Sequence, residues 1–344
     1  ILASVFVLSP EYFDGGVESL SGLIPTLGLF AFAGQRLIPE AQKIFASASK
    51  ISFGAAALQN VYEDMVSGSE GIARAEDPPR LGLETKVEFR DVTYAYPDAA
   101  RGGLENITFD IPAGARIGIV GNTGAGKTTF VDILLGLLAP GSGEVVVDGR
   151  PLSRDDGRIA WQKSVAYVPQ DIFLLDDTLE RNIALGVKDE RIDRDRVRDC
   201  ARIAHIADFI ERDAPDGYET QAGERGLSLS GGQRQRIGIA RALYRGADLI
   251  VMDEATSALD SETEAGVIEA ISRLPRSITL VMVAHRLSTL AHCDRIAVLE
   301  RGRLVQSGPR AALMQAEGPF RALLDAAERG PASAPPADRE GKPR

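Results

Sequence analysis

The chain has 344 residues, a formal net charge of −10 at pH 7, two cysteines and three histidines. That length allows two domains and a substantial core, and the acidic balance excludes a general nucleic-acid binder, which needs a basic face to displace counterions. Cys200 and Cys293 lie far apart and the histidines have no ligand spacing, so neither a disulfide framework nor a structural metal site is indicated and a reducing compartment is expected.

ILASVFVLS, residues 1–9, has no initiator methionine and no charged leader, and reads as the tail of a membrane helix rather than as a signal peptide. SLSGLIPTLGLFAFAGQ, residues 19–35, is uncharged and close to the roughly 20 residues that span a bilayer. The competing reading is a buried core helix, because the run is slightly short and contains Pro25. The preceding apolar run, and the frequency of glycine and proline in spanning helices, favour a span over about 18–38. Glu11, Asp14 and Glu18 precede it, whereas Arg36, Lys43 and Lys50 follow, which puts everything beyond Arg36 on the cytoplasmic side of the inner (plasma) membrane. Ile38, Ala41, Ile44, Phe45, Ala48 and Ile51 keep helical spacing and extend the helix into the cytosol. Residues 1–72 are therefore expected to be the C-terminal remnant of a transmembrane domain, holding one to two spanning helices, with Ile1 a cut.

ARAEDPPRLGLET, residues 73–85, is charged, and its Pro-Pro pair forbids helix, so it reads as a linker. From Lys86 the apolar period becomes two (Val87, Phe89, then Val92, Tyr94, Tyr96), which predicts antiparallel strands. RIGIVG, SVAYVPQ, DLIVMDE, ITLVMVAH and RIAVLE are short, almost wholly apolar and separated by helical segments, as parallel strands buried on both faces are. A mainly helical insert is expected over about 172–245, and the Pro/Ala-rich end, 328–344, is expected to be disordered.

Gly121-Asn-Thr-Gly-Ala-Gly-Lys-Thr128 lies between a buried strand and an apolar-periodic helix, which is the context a phosphate loop requires. Gly121, Gly124 and Gly126 let backbone N–H groups wrap phosphate oxygens, Lys127 adds a point charge, and Thr128 is placed for Mg²⁺. LIVMDEATSALD, residues 249–260, ends a buried strand in two carboxylates: Asp253 for the Mg²⁺ shell and Glu254 as base or polariser for an attacking water. Ser230-Gly-Gly-Gln233 opens a second helix prepared for an anion.

With these motifs the chain resembles the ATP-binding cassette family over roughly residues 86–327. The resemblance implies an α/β phosphate-loop NTPase cassette: a mixed sheet core with an antiparallel β subdomain and a helical subdomain. It implies ATP and Mg²⁺ as ligands, with Gly121, Asn122, Thr123, Gly124, Ala125, Gly126, Lys127, Thr128 and Thr129 around the phosphates. LSGGQ (229–233) is similar to the family signature, so Ser230, Gly231, Gly232 and Gln233 are expected to meet the ATP of a second copy, or of a homologous half-transporter. Tyr96 matches the residue that stacks on adenine, although a core tyrosine on a strand face is the alternative. Gln170 matches the residue that reaches Mg²⁺ and water, His285 the γ-phosphate switch, and Ser257, Ala258, Leu259 and Asp260 the loop across the dimer interface. AGERG, residues 222–226, resembles an exporter-specific loop, and the membrane helix joined to a cassette resembles exporters with both domains in one chain. LGLFAFAGQRLIPEAQKIFASASKI is more weakly similar to flippases of lipid-linked oligosaccharides. The implied function is ATP-driven export or flipping of a lipid, glycan-lipid, peptide or drug, with no nucleic-acid partner. A soluble cassette ATPase of DNA repair or translation would lack the apolar run and carry basic surfaces; an importer ATPase subunit would lack a fused helix.

Overall fold

The computed structural model describes residues 17–70, 78–97, 103–152, 155–223, 226, 229–253, 261–284 and 287–329. The chain divides into two compact units, Ile1–Ala75 and Glu76–Arg344.

Among its described residues the first unit holds one helix, α1 (Val17–Glu70), of 54 residues, about 80 Å long at 1.5 Å per residue. Alanines at 46, 48 and 55–57 favour helix, as does the Glu40–Lys43 ion pair at 2.8 Å. Pro25 and Pro39 both lie inside it. Helix covers the residues of the expected span, about 18–38; among the described residues no helix is long and apolar enough to cross a membrane. Its large apolar side chains, among them Phe32, Ile44, Phe45, Ile51 and Phe53, are exposed.

In the second unit β1 (Lys86–Tyr94) pairs antiparallel with β2 (Leu104–Pro112). It also pairs with β4 (Ser142–Val147), whose far side takes the short β5 (Arg150–Pro151), giving the order β2-β1-β4-β5. The predicted alternation holds as far as Phe89 and then slips, so that Phe89 and Val92 are both buried. Asp91 between them has φ 50, and the ladder is irregular there: a bulge absorbs the extra residue.

The second sheet is six-stranded. It contains β3 (Arg116–Val120), β6 (Val165–Val168), β7 (Leu249–Asp253), β8 (Thr279–Val283), β9 (Arg295–Glu300) and β10 (Arg303–Pro309), in the order β10-β9-β3-β8-β7-β6. All its pairings are parallel except β9 with β10. Every residue of β3 and β8 is buried, because one face packs under the antiparallel sheet and the other under helices.

Helix α2 (Lys127–Leu134) follows β3, and α3 (Asp155–Gln162) precedes β6. The insert between β6 and β7 carries α4 (Leu179–Ile183), α5 (Arg194–Ile203) and α6 (Gly231–Arg245). Helix α6 buries Ile237, Ile239, Ala240 and Leu243 and ends at Gly246, left-handed with φ 72. Helices α7 (Ser261–Arg273) and α8 (Leu287–Leu290) flank β8 in sequence. Helices α9 (Arg310–Gln315) and α10 (Pro319–Arg329) close the unit. Disorder was expected from residue 328, whereas α10 continues through Arg329, anchored by buried Phe320 and Leu324; residues 330–344 lie outside the described ones.

Trp161, the chain's single tryptophan, is fully buried, and its indole N–H donates to the Leu134 carbonyl at the end of α2 at 2.7 Å. Trp161→Phe keeps an aromatic ring but removes that donor. The expected loss in unfolding free energy is about 1–3 kcal/mol, read by urea denaturation followed by circular dichroism.

Candidate functional site

Strand β3 delivers the chain into the loop 121–126 at the carboxyl edge of the sheet. Gly121 has φ 154, and a Cβ there would lie 2.2 Å from the Leu299 carbonyl oxygen. Gly126 has φ 100, and a Cβ would come within 2.9 Å of the Leu104 side chain. Only glycine fits these positions. Gly126 is also the N-cap of α2 and offers no side-chain cap, so the first turn presents backbone N–H groups to an incoming group. Lys127 stands at this positive helix end, an adverse place for a cation without an anion. Its side chain is 8% exposed, and the ammonium donates to the Gly121 and Asn122 carbonyls at 2.7 and 3.2 Å. Asn122, Thr123, Gly124 and Thr128 are exposed, whereas Ala125 and Thr129 are buried.

Tyr96 reaches this loop: its hydroxyl is 3.3 Å from Thr129 Oγ1, and its ring meets Tyr94 edge-on, centroids 5.0 Å apart. Its half-buried ring thus stands beside the phosphate loop.

Asp253 ends β7 at the same edge of the sheet, half-buried. The Tyr167 hydroxyl, on β6, donates to Asp253 Oδ2 at 2.9 Å. Asp132, on α2, has its carboxyl pushed above the usual range, first by burial and then by the negative charge of Asp253. Gln170 follows β6 and is exposed. Asp253, the Thr128 hydroxyl and the Gln170 amide are all hard oxygen donors, which suits Mg²⁺, and a cation would offset the charge shared by Asp253 and Asp132. No group of three or more His, Cys, Asp or Glu among the described residues could hold a metal, so the rest of a Mg²⁺ shell falls to phosphate and water.

Ser230 is the exposed N-cap of α6 in a closed capping box. Its Oγ accepts from Gln233 N at 3.3 Å, and Gln233 Oε1 accepts from Ser230 N at 2.7 Å. The box orders the helix start, and the serine hydroxyl proton remains as a donor. Gly231 is half-buried and Gly232 buried. Two residues beyond the box, Gln235 is 3% exposed and its Nε2 donates to the Pro169 carbonyl at 3.2 Å. A Cβ on Gly238 would lie 2.5 Å from Ile172 Cδ1. The helix that begins with the signature is therefore packed against the segment holding Gln170.

Sequence reasoning missed Asp132, Tyr167 and Gln235. A polar residue on the buried side of an apolar-periodic helix was the available signal for Gln235; nothing local marks Tyr167. Glu254, Ser257, Ala258, Leu259, Asp260 and His285 lie outside the described residues.

Residues 104–257 match the family model described as ABC transporter. The chain is 39% identical over 263 residues to an ATP-dependent lipid A-core flippase of Methylococcus capsulatus, a match covering 76% of this chain and 43% of that protein. It is 40% identical over 302 residues to the Beta-(1-->2)glucan export ATP-binding/permease protein NdvA of Rhizobium meliloti, covering 87% and 50%. A solved bacterial Atm1-family ABC exporter with ATP bound superposes with a TM-score of 0.65 at 36% identity, covering 76% of this chain and 45% of that one. The chain thus spans about half the length of these relatives.

The loop geometry separates two glycines. Gly121→Ala forces a Cβ against a backbone carbonyl, whereas at Gly124, with φ 77, no atom lies within 4 Å. Gly121→Ala is expected to cost about 1–3 kcal/mol of stability and Gly124→Ala about 1 kcal/mol, compared by thermal denaturation.

Proposed function

The chain carries an ATP-binding domain of the ABC transporter family, and on that premise we propose that it is the ATP-hydrolysing part of an exporter that flips or exports a lipid or glycan substrate. The observation that carries this reading is the loop 121–126: glycine-only backbone leading to an uncapped helix start, with a buried lysine at its positive end. The substrate class is supported by the names of two relatives, a lipid A-core flippase and a glucan exporter. A multidrug, peptide or other lipid exporter of the same architecture would use the cassette in the same way.

In this reading residues 86–327 are the cassette, 73–85 the linker and 1–72 the end of a membrane domain, with the cassette on the cytoplasmic side of the inner (plasma) membrane. Lys127 leaves the Gly121 and Asn122 carbonyls for β- and γ-phosphate oxygens, and the α2 N–H groups complete the cradle. Tyr96 supports the adenine. Thr128, Asp253 and Gln170 hold Mg²⁺, which when bound neutralises charge on those phosphate oxygens. Glu254 takes a proton from a water whose oxygen attacks the γ-phosphorus, the bond to the β-phosphate oxygen breaks, and His285 contacts the γ-phosphate. The partner is a second copy or a homologous half-transporter: Ser230 of one chain directs its hydroxyl proton at the γ-phosphate held by Lys127 of the other, with residues 257–260 at the interface.

Lys127→Ala is expected to weaken ATP binding at least tenfold, which equals about 1.4 kcal/mol, measured by equilibrium binding of a fluorescent ATP analogue. Glu254→Gln is expected to keep that affinity and lose turnover; hydrolysis within about threefold of wild type would remove Glu254 from the role of base. Mixing Lys127→Ala with Ser230→Arg places both lesions in one composite site and leaves the other whole. ATP-dependent dimerisation or some hydrolysis is therefore expected to return, and recovery of neither signal in a preparation shown to contain mixed dimers would exclude the shared site.

A further inference from the structure

The hydrogen bond from Tyr167 to Asp253 joins two strands that neighbour each other at the edge of the sheet, β6 and β7. In the proposed site each strand supplies one side chain to the metal: Asp253 at the end of β7, and Gln170 three residues after Tyr167. Pro169 lies between Tyr167 and Gln170, stiffening the strand exit, and its carbonyl is gripped by the buried amide of Gln235 on α6. The strand exit is thus fastened on one side to the Asp253 carboxylate and on the other to the signature helix.

We propose that Tyr167 is a positioning residue for Asp253: its hydroxyl occupies Oδ2, fixes the plane of the carboxylate and turns the other oxygen toward the divalent cation. This rests on the metal reading of Asp253 given above. A carboxylate rotates broadly about its last torsion, so a donor on one oxygen removes that freedom. Partners that orient a metal ligand typically affect metal affinity by 10–100-fold.

Tyr167 is 43% exposed, so Tyr167→Phe keeps the ring and removes the hydroxyl. The test measures Mn²⁺ binding by electron paramagnetic resonance with the protein saturated by a non-hydrolysable ATP analogue, and analogue affinity in EDTA as a control. Tyr167→Phe is expected to weaken Mn²⁺ about 10-fold. Analogue affinity in EDTA should stay unchanged, and no further loss should appear in an Asp253→Asn background. Wild-type Mn²⁺ affinity in Tyr167→Phe, alongside a loss in Asp253→Asn, would overturn the proposal and leave the metal reading standing. An equal loss from Tyr167→Phe in both backgrounds would also overturn it, because the tyrosine would then act elsewhere. Unchanged Mn²⁺ binding in Asp253→Asn would remove the metal reading itself, and the proposal with it.

Discussion

The approach of the Gly121 backbone to the Leu299 carbonyl is the constraint on which the nucleotide site depends. The space between β3 and β9 at that point admits no Cβ, so the chain leaving β3 must turn with glycine geometry. That turn starts α2 at Gly126 with no side-chain cap and places Lys127 at its positive end, where the loop's own carbonyls hold the ammonium. The local arrangement is costly by itself: a buried ammonium and uncapped N–H groups at a positive helix end. A polyphosphate would offset both, and the left-handed glycines, which adopt that backbone without steric cost, would let it approach.

The sheet order then gathers the remaining chemistry. Parallel strands send their carboxyl ends to one edge, so loop 121–126 after β3, Asp253 at the end of β7 and Gln170 after β6 all emerge on the same side. The Asp132 carboxyl on α2 is raised first by burial and then by the field of Asp253, which registers part of this gathering. Burial on both faces keeps the inner strands rigid, and rigidity keeps such oxygen donors in place.

The signature helix solves a different problem. A helix start rich in glycine frays unless its N–H groups are satisfied, and in the proposed role its serine donor must stay available to a phosphate. The Ser230–Gln233 capping box uses the serine oxygen as acceptor and leaves its proton, while Gln235 and Gly238 fasten the next turns to the segment holding Gln170. Order at the helix start and readiness for an outside anion are thus compatible.

Much of this was legible in the sequence because the information is local. The loop Gly121–Thr128, the apolar strands and the capping box Ser230–Gln233 each depend on spacings of a few residues, and backbone sterics alone fix their meaning. The three-residue step from Phe89 to Val92 was visible in the sequence, but not that a left-handed Asp91 takes it up as a bulge in the ladder. Tyr167 and Asp253 are 86 residues apart, and Gln235 and Pro169 are 66 apart. Which partners such residues meet follows from strand order, and strand order is decided by which apolar faces bury one another across the whole domain, so only the tertiary structure could assign them.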